Sequence, residues 1–133
     1  MAELIQASSK AVEEFESLSD EIIQNAVQES MAYQNEIAHH GDDAYRMIKT
    51  GFDFTYKMLR AAISTGEPEI LDEQAKWAVS RLPHDNISID NLIRRLRRMK
   101  RSVNQTLSKQ TAEEITPFID FLVERIEYHN KLK

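Results

Sequence analysis

The residue types that bind metal ions are concentrated in one short segment of this sequence. His39 and His40 stand just before Asp42 and Asp43, and imidazole and carboxylate groups both ligate metals, while histidine also ligates haem iron. Because consecutive residues do not share one face of a helix, two adjacent histidines do not easily bind one ion. Such polar clusters are also typical of a loop before a helix. We favour the loop and expect no metal site.

His84 is a second candidate, because a single histidine can hold haem iron. It lies between Pro83 and Asp85 in a segment with the composition of a turn, whereas a haem ligand usually projects from a helix into an apolar pocket. We therefore expect no His-ligated haem. The chain has no cysteine, which excludes disulfides, thiolate metal sites and thioether-linked cofactors. No nucleophile stands at a readable spacing from a base, so we expect no enzymatic activity and no catalytic residues.

A charged pair near the middle of the chain is the third candidate. Asp53 lies in the most apolar segment of the sequence, where a carboxylate without a partner would be costly to bury. Lys57 follows four residues later, which is the spacing of an ion pair on a helix. Two interpretations remain open, a partly exposed ion pair or a polar contact inside a pocket or across a dimer interface.

The stretch from Arg94 to Arg101 carries six cationic side chains. Its apolar residues would occupy one face of a helix, so the cations cover the other two sides. We favour a solvated face, and the alternative is a surface for an acidic partner. Nucleic acid is the least favoured partner, because the net charge of the chain is −5 and no aromatic residues interleave with the cations.

Helices have to position all of these residues. The chain has 133 residues, of which 41% are hydrophobic, and only three glycines and three prolines, so one domain (1–133) of long helices is expected. The segment from Tyr45 to Glu67 has a wide apolar face at helical spacing, and Gly66 with Pro68 marks its end. No apolar run is long enough for a membrane span and no signal peptide opens the chain, so we expect a cytoplasmic protein without membrane contact.

Six helices are predicted from the apolar periodicity. They run from Ala2 to Phe15, from Ser19 to about Ile37, from Tyr45 to Glu67, from Pro68 to Leu82, from Ile89 to Leu107 and from Ile115 to Ile126. Several end signals are expected: Ser19 and Asp42 or Asp43 as N-caps, a capping box of Thr111 with Glu114, and a helix start tilted or delayed by Pro117. The tail from Tyr128 should fray. Periodicity alone leaves a globin-like packing and an irregular bundle equally open.

The helices and their motifs, taken in order, resemble the phycobiliproteins. Residues 52–67, FDFTYKMLRAAISTGE, are similar to the central helix of that family, and Asp53, Phe54, Lys57 and Gly66 keep its pattern. SDEIIQNAVQESMAYQNEI resembles a helix before it, and LIRRLRRMKRSVNQTLS and PFIDFLVERI resemble the two helices that close the domain. The resemblance covers nearly the whole chain and implies an all-α, globin-like fold of about six helices.

The departures from the family pattern concern its pigment and its assembly. The resemblance places Ile48 at the bilin-bearing cysteine, and Thr50 and Gly51 at the arginine and aspartate that hold the bilin. It also implies that the N-terminal helical hairpin of the light-harvesting subunits is missing. The chain is most similar to the bilin biosynthesis-associated globins of this superfamily. We therefore expect no covalent bilin and no other cofactor.

The function implied by this resemblance is a non-enzymatic role in bilin or tetrapyrrole metabolism through protein contacts, as a homodimer or with a bilin-biosynthesis enzyme. The alternative is a sensor or carrier domain that binds haem, bilin or another small apolar ligand non-covalently. Trp77, Phe52, Phe54, Tyr56 and Met58 could line such a pocket, although an aromatic stripe at helical spacing is more often core.

A homodimer interface is expected on the first predicted helix. Its apolar stripe, Leu4/Ile5, Ala11/Val12 and Phe15, would be partly wet in a lone terminal helix. The acidic residues Glu13, Glu14 and Glu16 of one copy would then face the basic stretch of the other.

Overall fold

The structure, a computed structural model, describes residues 4–33, 41–85 and 87–132. These ranges contain six α-helices and no strand, which confirms the all-α prediction. The helices are α1 (Ser9–Ser17), α2 (Ser19–Met31), α3 (Ala44–Thr65), α4 (Glu69–Arg81), α5 (Ile89–Thr106) and α6 (Lys109–Lys131), with short 3-10 turns at Gly41–Asp43 and Leu82–Asp85.

The central helix α3 is packed against α1, α2, α4 and α6. Ile48, Phe52, Leu59 and Ile63 are each at most 2% exposed and lie on the face that these helices cover. Apolar residues at this spacing form one continuous stripe, so a single orientation of α3 buries all four side chains. Burial of each of these side chains adds roughly 1.5–3 kcal/mol to the free energy of unfolding.

Residues 4–8, which precede α1, are not helical, contrary to the prediction of a helix that runs from Ala2. They instead complete the C-terminal end of α3: the Ala7 amide donates to the Ile63 carbonyl at 3.3 Å, and Gln6 Nε2 donates to the Ser64 carbonyl at 2.6 Å. The last carbonyls of a helix have no partner within it, and these two bonds satisfy two of them.

Gly66 makes this close approach possible. It ends α3 with a left-handed backbone (φ 72°), and a Cβ atom there would lie 2.9 Å from Cβ of Gln6. Both the dihedral angle and the contact therefore require glycine. The sequence predicted Gly66 as the end of this helix, but it could not predict which segment would pack against it.

Two serine N-caps join α1 to α6 in a reciprocal arrangement. The amide and hydroxyl of Ser8, the N-cap of α1, donate to the carboxylate of Glu114 in α6 at 2.8 and 3.1 Å. The amide and hydroxyl of Ser108, the N-cap of α6, donate to the carboxylate of Glu14 in α1 at 2.6 and 3.1 Å. Each carboxylate thus lies at the positive end of the other helix.

These crossed caps explain why the predicted capping box is wrong. Thr111 is buried inside α6, and the helix begins at Lys109. Pro117 therefore lies in the helix interior, and it does not delay the start. The tail is also helical as far as Lys131, so the fraying predicted from Tyr128 is wrong over that range.

Two other predicted N-caps are wrong. Ser19 is already inside α2, whose N-cap is Leu18, and no side chain bonds there. Asp43 stands at the N-cap position of α3 without a capping hydrogen bond. Its carboxylate instead forms an ion pair with Arg46 at 3.3 Å, so the first turn is supported electrostatically.

We predict that Ser108→Ala lowers the free energy of unfolding by about 1–2 kcal/mol, because it removes the N-cap of α6 and the hydroxyl bonded to Glu14. Ser9→Ala is the matched control, since Ser9 is exposed in the first turn of α1 and alanine favours a helix. Urea denaturation followed by far-UV circular dichroism measures both values. Equal stability of the two variants would contradict the crossed-cap interpretation.

Candidate functional site

An apolar cavity of about 270 Å³ lies beside α3 and opens to the surface. Its walls come from α3, α4, the segment that joins α4 to α5, and one face each of α5 and α6. The apolar lining residues are Phe52, Phe54, Met58, Trp77, Ala78, Leu82, Ile87, Leu92, Leu96, Leu122 and Ile126. A concave apolar site of this kind, with few polar groups, is typical of small-molecule pockets.

Phe54 and Trp77 are the aromatic residues at the edge of the cavity. Each is 48% exposed, and their ring centroids are 6.4 Å apart at an interplanar angle of 42°. Two half-exposed aromatic rings in tilted contact beside an apolar concavity provide a surface for a flat ligand. The sequence predicts both residues as possible lining of a pocket, together with Phe52 and Met58, and all four line the cavity.

Tyr56, the remaining residue of that predicted stripe, does not reach the cavity. Its ring packs against Phe15 with the centroids 4.8 Å apart, on the opposite side of α3. Burial there raises the pKa of the Tyr56 hydroxyl above its usual value. The aromatic residues of the predicted stripe therefore divide between the cavity and the core.

The polar groups of the cavity are few. Thr55 Oγ1 donates to the Gly51 carbonyl at 3.0 Å, so its hydroxyl is directed to the backbone. Arg95 contributes the one charged side chain among the described residues that line the cavity. Its Nη1 atom lies 3.8 Å from the place that a Cβ atom of Gly51 would occupy. Thr50 and Gln74 complete the polar lining.

The fold separates the three positions that the sequence resemblance aligns with pigment contacts. Ile48 is fully buried in the core and is absent from the cavity lining, whereas Thr50 and Gly51 lie in that lining. None of these side chains carries a thiol, a guanidinium or a carboxylate. The cavity beside Thr50 and Gly51 is largely apolar, and its charged side chain, Arg95, comes from another helix, α5.

Asp53 lies outside the cavity and has a different partner from the one predicted. Its carboxylate accepts from Lys49 Nζ at 3.0 Å, and the pair lies beside Asp20 and Glu21 of α2. The hydrogen bond to Asp53 raises the pKa of the Lys49 ammonium. The predicted pair with Lys57 is therefore wrong, because position i−4 faces α2 and position i+4 is exposed.

The basic stretch is not a uniform solvated face. Arg98 is 4% exposed, donates to Ser30 Oγ at 3.1 Å and lies over the Tyr33 ring, with Cζ 4.3 Å from its centroid. Lys100 and Arg101 form ion pairs within the chain, with Asp120 at 2.8 Å and with Glu29. Helical periodicity could not separate these roles, because arginine stems pack well in a core.

The predicted dimer surface on the first helix is wrong as drawn. Phe15 and Ala11 are buried in the core of their own chain, and Leu4 precedes the helix. Two of the acidic residues of α1 also have partners in the same chain: Glu14 bonds Ser108, and Glu16 pairs with Arg60 at 2.7 Å. These residues therefore have their partners within the chain, whereas Ile5 of the same predicted stripe is 80% exposed.

The histidine candidates do not converge on a site. His39 and His40 lie outside the described residues. His84 is exposed in the 3-10 turn after α4, as a turn residue would be. Over the described ranges, no three His, Asp or Glu side chains come close enough together to hold a metal ion. In the same ranges, no helix has the length and apolar character needed to cross a membrane.

A charged cluster between α4 and α6 was missed in the sequence. Asp72 accepts a hydrogen bond from Arg125 Nε at 2.6 Å, and its carboxylate lies 2.9 Å from His129 Nε2. Burial opposes ionisation of Asp72, but the hydrogen bonds from the two partners outweigh it and lower the pKa of the carboxyl. Arg125 also lies over the Tyr128 ring at 4.2 Å. The partners are more than 50 residues apart, so no local spacing indicated the cluster.

The chain matches one family model, which is described as Phycobilisome protein, over residues 2–126. The matched range contains α1 to α5, most of α6 and every residue named above as lining the cavity. Comparisons with curated proteins and with solved structures gave no significant match.

The Asp72 cluster makes a prediction about pH. A carboxyl whose pKa is lowered on folding stabilises the protein above the unfolded value of about 4, and this stability is lost as the pH falls through the folded value. Asp72→Asn should therefore be less stable than the wild type at neutral pH, by no more than about 1 kcal/mol because the carboxylate is partly exposed.

The difference between the two proteins should shrink below about pH 4. Urea denaturation at several pH values measures it. Glu73→Gln, an exposed neighbour with the same change of charge, is the control and should not show this pH dependence. A difference for Asp72→Asn that is independent of pH would contradict the assignment.

Proposed function

This chain belongs to the phycobilisome protein family, and from that premise we propose that it is a non-enzymatic member that binds a flat, apolar ligand of the tetrapyrrole class without a covalent bond. It would act as a carrier or sensor domain on the globin-like, all-α fold of this family. The observation that carries the proposal is the open apolar cavity beside α3, with Phe54 and Trp77 at its edge.

The size and shape of the cavity support partial enclosure of such a ligand. Its volume of about 270 Å³ is just below the usual range of ligand pockets, about 300–1,000 Å³. A tetrapyrrole would therefore place one part inside, and the rest would lie against the exposed faces of Phe54 and Trp77. Aromatic contact of this kind adds roughly 0.5–1.5 kcal/mol for each ring beyond the area buried.

The chemistry of the lining supports binding without catalysis. The described residues around the cavity include two threonines, one glutamine and one arginine, but no histidine, carboxylate or lysine. General acid–base catalysis needs a group whose pKa lies near the working pH, and threonine, glutamine and arginine do not supply one.

A second candidate function is a protein contact within tetrapyrrole metabolism. The observation that favours it is the same pair of half-exposed rings, because aromatic residues are enriched at the centres of protein interfaces. The partner would be a bilin-biosynthesis enzyme or a second copy of this chain, seated over the opening of the cavity. A homodimer remains a prediction, now without the N-terminal surface.

Fluorescence of the single tryptophan tests the first function directly. Trp77 stands at the edge of the cavity and is the only tryptophan of the chain, so an absorbing ligand bound there should quench its emission. We predict saturable quenching by haem or biliverdin. Phe54→Ala should weaken binding about threefold to tenfold, because it removes one aromatic contact.

Met47→Ala is the control for this titration, since Met47 is an exposed apolar residue of the same helix outside the cavity. Its affinity should equal that of the wild type. If neither haem nor biliverdin quenches the Trp77 emission, the binding function is rejected and the protein contact is the remaining candidate.

The binding should also be fully reversible. A bilin is joined to a protein through a cysteine thiol, and this chain contains no cysteine. We predict that a sample loaded with phycocyanobilin gives zinc fluorescence on a native gel and none at the protein band after denaturing electrophoresis. A fluorescent band that survives denaturation would contradict non-covalent binding.

A further inference from the structure

We propose that Asp72 is a positioning residue for the cavity, and that its bonds to Arg125 and His129 hold Trp77 at the cavity edge before a ligand arrives. This inference rests on the proposed function and describes how its site is kept in the binding geometry. None of the three side chains of the Asp72 cluster lines the cavity, so they would act on the ligand only through the helices that carry them.

The cluster and the cavity lining share one face of α6. Leu122 and Ile126 line the cavity, and Arg125 and His129 each follow one of them after three residues. Residues three or four positions apart are neighbours on a helix surface, so the apolar wall and the charged pair belong to one strip of α6. A movement of α4 against this strip therefore changes the cavity and the cluster together.

On α4 the cluster lies at the first turn, ahead of the residues that line the cavity. Asp72 belongs to that first turn, and Gln74, Trp77 and Ala78 follow it as cavity lining. A helix moves largely as one body, so a bond that fixes its first turn against α6 also fixes the place of the Trp77 ring.

The apolar anchoring of α4 is slight for a helix of 13 residues. Its buried residues are Leu71, Ala75, Ala78 and Val79, so two of the four are alanines, and no side chain caps its N-terminus. Because alanine buries little apolar area, polar contacts with α6 have a larger share in positioning α4 than they have for the central helix.

The geometry of the cluster suits this role. The Arg125 and His129 side chains are 18% and 14% exposed, and both contact the same Asp72 oxygen, at 2.6 and 2.9 Å. The Tyr128 ring lies over the Arg125 guanidinium and holds it from a second side. Charges that are shielded from water are less screened than those on an open surface.

The effect on binding follows from the cost of ordering a wall. A preformed edge leaves the ligand nothing to arrange, whereas a mobile edge reduces the apparent affinity by the fraction of molecules in the competent geometry. Release of Asp72 should therefore weaken binding without removing any contact with the ligand.

The experiment compares the wild type with Asp72→Asn and two control variants. Glu73→Gln makes the same change of charge at an exposed neighbour, and Glu16→Gln removes an ion pair between α1 and α3 that is not part of the cavity lining. Acrylamide quenching of the ligand-free proteins measures the accessibility of the Trp77 ring, and quenching by biliverdin measures the affinity.

We expect Asp72→Asn to raise the acrylamide quenching constant and to weaken biliverdin binding about threefold to fivefold, because the competent fraction falls. Both control variants should match the wild type in the two measurements. His129→Gln, which leaves the bond between Asp72 and Arg125 in place, should show a smaller change in the same direction. It also provides the comparison if Asp72→Asn does not fold.

Unchanged affinity in Asp72→Asn would overturn the positioning role and leave the proposed function intact. An equal loss of affinity in Glu16→Gln would also overturn it, since the effect would then come from lower stability in general. A loss of affinity without a change in acrylamide quenching would show that Asp72 does not act through Trp77. If biliverdin does not bind the wild type, the proposed function is rejected, and the acrylamide measurement alone decides whether Asp72 fixes the Trp77 ring.

Discussion

Burial of one face of α3 is the constraint on which the rest of the structure depends. Ile48, Phe52, Leu59 and Ile63 leave water together only in one rotation of the helix, with α1, α2, α4 and α6 arranged around it. That rotation leaves a neighbouring stripe, with Phe54 and Met58, at the side where the cavity opens. The candidate site is therefore a consequence of the core packing, since the same helix supplies the centre of the core and one wall of the cavity.

The cavity wall formed by α6 is held by polar contacts between residues that are far apart in sequence. The crossed caps fix α6 against α1, and Asp72 with Arg125 and His129 fixes it against α4. Each of these bonds is modest in energy, but together they fix the position of a helix that contributes Leu122 and Ile126 to the cavity. Rigid positioning of this kind lets a pocket exist before a ligand arrives, and preorganisation lowers the cost of binding.

Because the chain belongs to the phycobilisome protein family, its cavity can be compared with the positions that the resemblance assigns to pigment contacts. The places at which the resemblance puts the pigment contacts are occupied by Ile48, Thr50 and Gly51, one in the core and two in the cavity lining. The concavity therefore lies at the side of the central helix where the resemblance places two of the three pigment contacts. Arg95, from α5, is the one charged side chain among the described residues that line that concavity.

The sequence by itself determined the helical class, the extent and end of the central helix to within two residues, and the aromatic residues Phe54 and Trp77 of the candidate site. These follow from local periodicity, from the φ angle that glycine adopts freely and from motifs that lie within one helix.

Contacts between distant segments were decided only by the tertiary structure. Residues 4–8 are not helical and bond the last carbonyls of α3, and α6 begins at Lys109 because Ser108, its N-cap, bonds Glu14. Asp53 pairs with Lys49 since that side of α3 faces α2, and Arg98 is buried while Arg95 reaches the cavity. Propensity and spacing are properties of one segment, whereas the partner of a charge or a cap depends on which segment the packed core places beside it.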